Sequence, residues 1–279
     1  MTMKEKIKIT CWGSRGSCPV PHRDRMEYGG NTSCFVIEAG DEILILDAGT
    51  GLVSFGEELL RRGPEWSGKN LHIFLSHLHL DHIIGIPFFK PLNCQGCRIC
   101  FYGEEREGRS LKEQLETVFA PPYWPIGPDR YAATVSYMPT EVGMSLAVTP
   151  EIHVKTMRAS HPDQTMLYAF YISGRKIVYA LDCEMDRMIM EPLTAFAESA
   201  DLFICDAQYS PGEYEAHRGW GHSTWRKGSD LARRGHIKNV WFSHFAWEAD
   251  DRELERIERE AIGACPQGAY VREGMELWL

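Results

Sequence analysis

Short apolar runs separated by turn residues dominate the first half of the chain, and several alternate hydrophobic with polar positions. Runs of this kind, rich in β-branched and aromatic side chains, are typical of strands. The pattern predicts strands over residues 6–11, 33–39, 42–47, 71–76, 98–102, 134–137, 153–159, 166–172, 176–181, 201–205, 240–243 and 275–279. Tight turns at Gly40-Asp41 and Ser173-Gly174 indicate two hairpins.

Segments with helical patterning interrupt the strands and predict helices over residues 53–62, 83–89, 110–119, 186–199, 223–234 and 250–262. Residues 120–130, "APPYWPIGPDR", are rich in proline and aromatic residues and predict a structured loop. Strands that come first and are later interleaved with helices suit two packed sheets covered by helices. The predicted fold class is therefore α/β, a four-layer sandwich.

The composition of the 279 residues narrows the class of function. The formal net charge of −9 argues against non-specific binding of nucleic acid, because Lys and Arg supply most of that affinity. The negative net charge still allows a small anionic substrate if a metal ion supplies local positive charge. The chain starts without a signal-peptide pattern, and its strongest apolar run, residues 83–89, is too short to span a bilayer. Nine scattered cysteines suggest reduced thiols, so we expect a soluble cytoplasmic protein without a membrane partner.

A cluster of histidines and an aspartate, "SHLHLDH", directly follows the predicted strand 71–76. Alternation along an extended backbone places His77 and His79 on one side. Asp81 and His82 come after the chain turns and can address a second point nearby. Imidazole nitrogen and carboxylate oxygen are ligands that suit Zn, Mn or Fe. A run of solvated or core histidines is the alternative, and the density of the cluster disfavours it.

Further potential ligands stand at the ends of other predicted strands. His161 follows the strand 153–159, Asp182 follows 176–181, and His244 follows 240–243. Each comes directly after an apolar run, so each is expected at the same edge of a sheet. A lone His or Asp there is more often a cap or turn residue. Three of them at equivalent places, beside the histidine cluster, favour a metal site.

The motif "HLHLDH" with these three residues resembles the metallo-β-lactamase superfamily over nearly the whole chain. The resemblance implies an αββα fold in one domain over residues 1–279, and two divalent metal ions, Zn or Mn with Fe as an alternative. A hydroxide bridging the two ions would be the nucleophile. The implied ligands are His77, His79 and His161 for one ion and Asp81, His82 and His244 for the other, with Asp182 bridging both.

The stretch "GWGHSTW", residues 219–225, resembles the phosphodiesterase branch of the superfamily, which includes tRNase Z and cyclic phosphodiesterases. This resemblance implies a role for His222 in phosphoryl chemistry, with an orienting carboxylate at the end of the preceding strand, where Asp206 stands. A histidine held by a carboxylate is a good proton donor near neutral pH. The predicted catalytic residues are His222, Asp206 and Asp81.

Predicted substrate contacts have plainer alternatives. Arg15, in the glycine-rich segment 13–34, could meet a phosphate, although such a segment is more often two turns between strands. Tyr123 and Trp124 could stack on a base, or could plug the edge of the sheet. Ser223 and Thr224 could contact substrate, or could cap the helix that follows.

The interval between His161 and Asp182 holds only the two strands predicted over 166–172 and 176–181, whereas tRNase Z usually carries a long arm there. We therefore expect a compact phosphodiesterase for a cyclic nucleotide or a similar small cyclic phosphate, without a stable nucleic-acid partner. Alternatives are a thioester- or lactone-type hydrolase of the same fold, a tRNase Z-like nuclease lacking the arm, and a non-enzymatic metal-bearing sensor. The family resemblance alone suggests a homodimer.

Two features depart from this picture. Cys183 follows Asp182 where relatives commonly have threonine, and its thiol could act as a ligand. Cys94, Cys97 and Cys100 share a zinc-like spacing, but three ligands without a fourth favour ordinary thiols. Five histidines have no predicted role: His22, His72, His153, His217 and His236.

Overall fold

The computed structural model describes residues 6–66 and 68–279, and it contains two seven-stranded sheets. The strands in chain order are β1 (Ile7–Gly13), β2 (Cys34–Ala39), β3 (Glu42–Leu46), β4 (Asn70–Phe74), β5 (Arg98–Gly103), β6 (Thr134–Pro139), β7 (Ser145–Thr149), β8 (Ile152–Arg158), β9 (Met166–Ile172), β10 (Arg175–Ala180), β11 (Leu202–Asp206), β12 (Val240–Ser243), β13 (Gly268–Tyr270) and β14 (Glu276–Trp278). The helices are α1 (Gly51–Arg61), α2 (Leu80–Ile83), α3 (Leu111–Val118), α4 (Met190–Ala197), α5 (Trp225–Arg234) and α6 (Asp251–Ala264).

Both sheets contain parallel and antiparallel strand pairs, and the parallel pairs determine where the site lies. The first has the spatial order β14-β1-β2-β3-β4-β5-β6, and the second has the order β13-β12-β11-β10-β9-β8-β7. Strands β3 to β6 pair in parallel, as do β10 to β13. The carboxyl ends of neighbouring parallel strands therefore meet at one edge of each sheet.

Alternation along the strands divides the apolar residues between two cores. On β3, Leu44 and Leu46 face the core between the sheets, whereas Ile43 and Ile45 face the opposite side. Contacts between aromatic rings join the two sheets across that core, as where Phe74 of the first sheet lies 5.0 Å from a phenylalanine ring of the second. Successive side chains of a strand point to opposite faces, so one short sequence serves both cores.

Helices cover the outer face of each sheet. Leu52 and Phe55 of α1 and Leu111 of α3 are buried against the first sheet, in the core that also holds Ile43 and Ile45. Helix α5 lies along β11 and β12, and α6 lies against β13. The predicted four-layer α/β sandwich is confirmed.

Two predicted helices are shorter than expected, because other hydrogen bonds compete with those of the helix. In place of a helix over 83–89, α2 ends at Ile83, and the backbone N–H of Gly85 donates to the carbonyl of Ala48. In place of a helix over 186–199, α4 begins at Met190. The side chain of Asp186 accepts hydrogen bonds from two backbone N–H groups and holds a turn before it.

Two strands escaped prediction because their patterns are weak. Strand β7 is a half-exposed strand at the edge of its sheet, and β13 has three residues. In the described residues, no helix has both the length and the apolar character that crossing a membrane requires.

Candidate metal centre

The predicted ligands lie at the carboxyl ends of strands from both sheets. His77 and His79 follow β4, and α2 carries Asp81 and His82. In the second sheet, polar residues follow β8, β10 and β12 in the same way; these are His161, Asp182 and His244. The structure brings all seven predicted ligands together.

One group of potential ligands contains His77, His79, His161 and Asp182, whose ligand atoms lie within 4.8 Å of one another. Asp182 Oδ1 lies 3.8 Å from Nε2 of His77 and 3.8 Å from Nε2 of His161. The outer nitrogen of His79, Nε2, is hydrogen-bonded to the carboxylate of Asp163, so Nδ1 remains available to the group.

A second group contains Asp81, His82 and His244, again with ligand atoms within 4.8 Å. Nε2 of His82 and Nε2 of His244 lie 3.3 Å apart. Asp182 Oδ2 lies 3.0 Å from the former nitrogen and 3.2 Å from the latter. Asp182 thus directs one carboxylate oxygen at each group.

The negative charge buried here has unusual partners. Asp47, Asp81, Asp182 and Asp206 are all at least nine-tenths buried. In the part of the chain that the structure describes, the only side chains forming ion pairs with them are histidines. Buried carboxylates need compensating positive charge, so protons or metal ions have to supply it.

The pKa values of the buried histidines shift in opposite directions, because their surroundings differ. Burial lowers the pKa of His77 well below its usual value, and the neighbouring His82 adds to the effect. Burial likewise lowers the pKa of His161 to about 4, so both imidazoles are neutral at pH 7. Burial also opposes the charge of His82, but the carboxylates of Asp182 and Asp81 outweigh it and raise that pKa well above its usual value.

These residues fit a divalent metal centre. Nε2 of His77 is buried, points into the cluster and has no hydrogen-bond partner among the described residues. Orphaned buried polar atoms are costly unless a ligand satisfies them. Neutral imidazoles and carboxylates are the ligand types that Zn and similar metals take in proteins.

A histidine and a carboxylate stand beside both groups. Nδ1 of His222 lies 2.8 Å from Oδ2 of Asp206, the last residue of β11, and 3.9 Å from Oδ1 of Asp182. The other oxygen of Asp206 accepts the backbone N–H of Ser223, which fixes the carboxylate. Burial alone would lower the pKa of His222, but Asp206 outweighs it and raises the pKa to about 9.

Comparison with known proteins places this geometry in a family. A family model described as the beta-lactamase superfamily domain matches residues 42–245. The chain belongs to the β-lactamase superfamily.

Similarity to individual members of the superfamily extends over the whole chain. The ribonuclease Z of Haloarcula marismortui is 21% identical over 317 aligned positions, covering 97% of this chain and 96% of the relative. The metallo-β-lactamase fold protein YhfI from Bacillus subtilis superposes with a TM-score of 0.71 at 17% identity, covering 99% of this chain and 100% of that protein. A diphosphatase from the PhnP family superposes with a TM-score of 0.69 at 18% identity, covering 98% of this chain and 97% of the other. These matches confirm the predicted resemblance to the superfamily and to its phosphodiesterase branch.

The superfamily fold implies divalent metal ions at the His/Asp cluster. Three positions of this cluster take a backbone conformation that non-glycine residues seldom adopt. Asp47, Asp182 and His244 have φ values of +57°, +48° and +63°. Such strain persists where surrounding structure enforces it, often at functional sites.

Asp47 is the residue that the sequence analysis missed. It follows β3 and is fully buried, and its Oδ2 lies 2.7 Å from Nδ1 of His82. The same carboxylate accepts hydrogen bonds from Ser76 and Tyr179. It thereby fixes the ring of His82 with Nε2 facing the cluster. The rule that found Asp182, a carboxylate directly after an apolar strand, would have found Asp47 in "LILDAG".

Two glycines let loops approach the histidines of this superfamily member. A Cβ atom at Gly16 would lie 2.5 Å from the ring of His244, and one at Gly221 would lie 2.1 Å from the ring of His161. Next to Gly16, the backbone N–H of Ser17 donates to Asp81 Oδ2 at 2.8 Å. The glycine-rich segment therefore supports the metal centre itself.

Arg15 has a different role from the one expected. Its side chain is fully buried, and its guanidinium donates to the carbonyls of Gly29, Ala246, Ala249 and Arg25. The predicted phosphate contact is corrected for that reason: Arg15 ties loops together.

The other predicted substrate contacts, Ser223, Thr224, Tyr123 and Trp124, lie in different surroundings. Thr224 caps α5, because its side chain accepts the backbone N–H of Lys227, and Ser223 is fully buried. Tyr123 is 82% exposed, while Trp124 packs edge-on against Phe88. The structure gives the plainer alternative for Thr224 and Trp124, a helix cap and a packed side chain.

The cysteines stay outside the centre. Cys183 is buried, burial raises the pKa of its thiol to about 12, and it belongs to none of the ligand groups in the described chain. Cys94, Cys97 and Cys100 likewise form no such group there.

Proposed function

We propose that the chain is a metal-dependent phosphodiesterase that cleaves a small phosphodiester, with a cyclic nucleotide or similar cyclic phosphate as the favoured class. The observation that carries this proposal is the His222–Asp206 pair, which lies against the metal cluster. A phosphodiesterase needs a proton for its leaving oxygen, and this pair is placed to supply one.

Two ions are the proposed cofactors, Zn or Mn with Fe as an alternative. We assign the first to His77, His79 and His161, the second to Asp81, His82 and His244, and a position between them to Asp182. When bound, divalent ions acidify a water molecule and offset the negative charge of a phosphate.

The chain's own residues supply the proton transfer. Asp206 accepts the hydrogen bond of Nδ1 of His222, which leaves Nε2 of that ring to donate to the leaving oxygen. In the metal-free protein Asp206 raises the pKa of His222 to about 9, and the direction of this shift favours the protonated ring that a general acid needs.

The size of the substrate follows from charge and connection lengths. Strands β9 and β10 occupy the interval between His161 and Asp182, which leaves no projecting arm there. The net charge of −9 also opposes a long polyanion. Both observations favour a small substrate. Similarity to ribonuclease Z along 97% of the chain keeps 3′ processing of RNA as the second candidate.

A substrate panel tests the proposal. The protein, loaded with Mn or Zn, is assayed with cyclic nucleotides, bis-p-nitrophenyl phosphate, a tRNA precursor, a lactone and a thioester. We expect turnover of the small phosphodiesters, and loss of that turnover after metal removal. Cleavage of the lactone or thioester without cleavage of any phosphodiester would contradict the proposal, and efficient cleavage of the RNA alone would favour the second candidate.

Three expectations from the sequence stay predictions: one domain over residues 1–279, a homodimer, and a cytoplasmic location. Limited proteolysis tests the single domain, and sedimentation velocity tests the homodimer.

A further inference from the structure

The loop that leads to His222 presents an exposed tryptophan. Trp220 is 61% exposed and stands between Gly219 and Gly221, whose φ values are +86° and +90°. Only one residue separates it from His222, so their Cα atoms lie within about 7.6 Å of each other. An exposed indole on a loop this close to a reaction centre is available for contact with substrate.

A buried carboxylate holds this loop in place. Glu184 Oε2 accepts the backbone N–H of Gly219 at 2.8 Å and that of Gly221 at 3.3 Å. Its Oε1 accepts the hydroxyl of Tyr214 at 2.6 Å, and the ammonium of Lys227 lies 3.4 Å from the centre of that tyrosine ring. Glu184 is 4% exposed, and a buried charge of this kind needs such hydrogen bonds to persist. The loop is therefore fixed although its tryptophan faces solvent.

Packing on the other side links the loop to the metal centre. Gly221 lies against His161, and a Cβ atom there would stand 2.1 Å from its ring. The position of Trp220 relative to the cluster is thus set by one close contact and one buried carboxylate.

A series of rings connects Trp220 with His222. His217 meets the indole edge-on, with centroids 4.9 Å apart and an interplanar angle of 89°. Tyr209 stacks on His217 at 4.2 Å and 14°, and it contacts the ring of His222 edge-on at 5.9 Å. His217, which had no predicted role, therefore packs against the indole.

We propose that Trp220, propped by His217, is the stacking site for the base of a nucleotide substrate whose phosphate lies at the metal centre. This inference rests on the proposed phosphodiesterase function and narrows its substrate to nucleotides. Bases stack on aromatic side chains regardless of sequence, because every base has a π face. The site takes the place that the sequence analysis gave to Tyr123 and Trp124.

The test compares a ligand that has a base with one that lacks it. AMP and ribose 5-phosphate are titrated by calorimetry into the metal-loaded protein, its Trp220→Ala and Trp220→Phe variants, and a Trp278→Ala control. Trp278 is 56% exposed on β14, the edge strand of the first sheet. Trp220→Ala removes the stacking contact with the base and is expected to weaken AMP binding roughly 5- to 150-fold. Trp220→Phe should retain part of the affinity, and ribose 5-phosphate should bind all four proteins equally.

Three results would overturn the inference. Unchanged AMP affinity in Trp220→Ala would exclude stacking, and equal losses for both ligands would mean that the residue supports the loop instead. A different oligomeric state of Trp220→Ala and the unmodified protein in sedimentation velocity would assign the indole to a subunit interface. Failure of the unmodified protein to bind either phosphate and to cleave any phosphodiester would instead reject the proposed function itself.

Discussion

Replacement of Asp47 by asparagine isolates the contribution of a residue that supports the metal centre without belonging to it. Asp47 Oδ1 accepts the backbone N–H of Ser76 at 2.7 Å. Its Oδ2 accepts the Ser76 hydroxyl at 2.8 Å, Nδ1–H of His82 at 2.7 Å and the Tyr179 hydroxyl at 2.7 Å. In Asp47→Asn, an NH₂ group that can only donate replaces Oδ2.

That NH₂ group has two hydrogens for three partners, and the hydroxyls of Ser76 and Tyr179 can rotate to accept them or turn away. His82 has less freedom, because a metal ligand bound through Nε2, the nitrogen that faces Asp182 and His244, has to keep its hydrogen on Nδ1. The NH₂ group opposes that hydrogen and favours the tautomer that carries it on Nε2. A protonated Nε2 cannot ligate a metal. Replacement of a supporting residue of this kind typically lowers metal affinity 10- to 100-fold, which is about 1.4–2.7 kcal/mol. We expect a loss of that size for the ion assigned to His82, and a smaller change for the ion assigned to His77.

Competition with a chromophoric zinc chelator measures both binding constants. Tyr179→Phe is the matched control, because it removes one hydrogen bond to Asp47 and leaves the contact with His82 intact. Asp129→Asn, at a carboxylate that is 72% exposed, controls for the change of charge. Two unchanged constants in a folded Asp47→Asn variant, or equal losses at both sites, would refute the tautomer argument.

Three other substitutions test separate parts of the molecule. His222→Ala should lower kcat about 10²- to 10⁴-fold without changing metal content. His153→Ala, at an exposed histidine, should leave kcat unchanged. Loss of bound metal in His222→Ala would contradict a purely proton-donating role. Burial alone would raise the pKa of Asp201, but Lys238, the backbone N–H of Lys176 and Arg175 outweigh it and lower the pKa. Asp201→Asn should therefore reduce the free energy of unfolding by about 1–2 kcal/mol at pH 7 in urea titrations. That difference should shrink as pH falls below about 4, because a depressed pKa stabilises only while the group is ionised; a difference independent of pH would refute the assignment. Ser110→Ala removes the N-cap of α3 and should cost about 1 kcal/mol in the same titration, and no change would argue against the capping box.

Much of the fold could be predicted because the apolar pattern is strong where strands are buried. Residues 166–172 and 240–243 form strands with the predicted bounds, and both are almost fully buried. Prediction failed where tertiary contacts decide the structure. Strand β7 forms at a sheet edge from a half-exposed segment, and the side chain of Asp186 replaces the first turn of a predicted helix.

The site could be predicted to the extent that position in the sequence determines position in space. Polar residues directly after apolar strands meet at a sheet edge, which located His161, Asp182 and His244. Asp206 came from the resemblance to the phosphodiesterase branch. That rule gives no orientation, so it could not distinguish the buried, structural Arg15 from a residue that contacts phosphate. Contacts between distant segments, such as Glu184 with the loop before His222, become visible only in three dimensions.

We propose that seven side chains from both sheets hold two metal ions, one on either side of Asp182. Anomalous diffraction from crystals of the Zn- or Mn-loaded protein tests it most directly. We predict two peaks, one among His77, His79 and His161 and one among Asp81, His82 and His244. A single peak, or none among these side chains, would contradict this assignment.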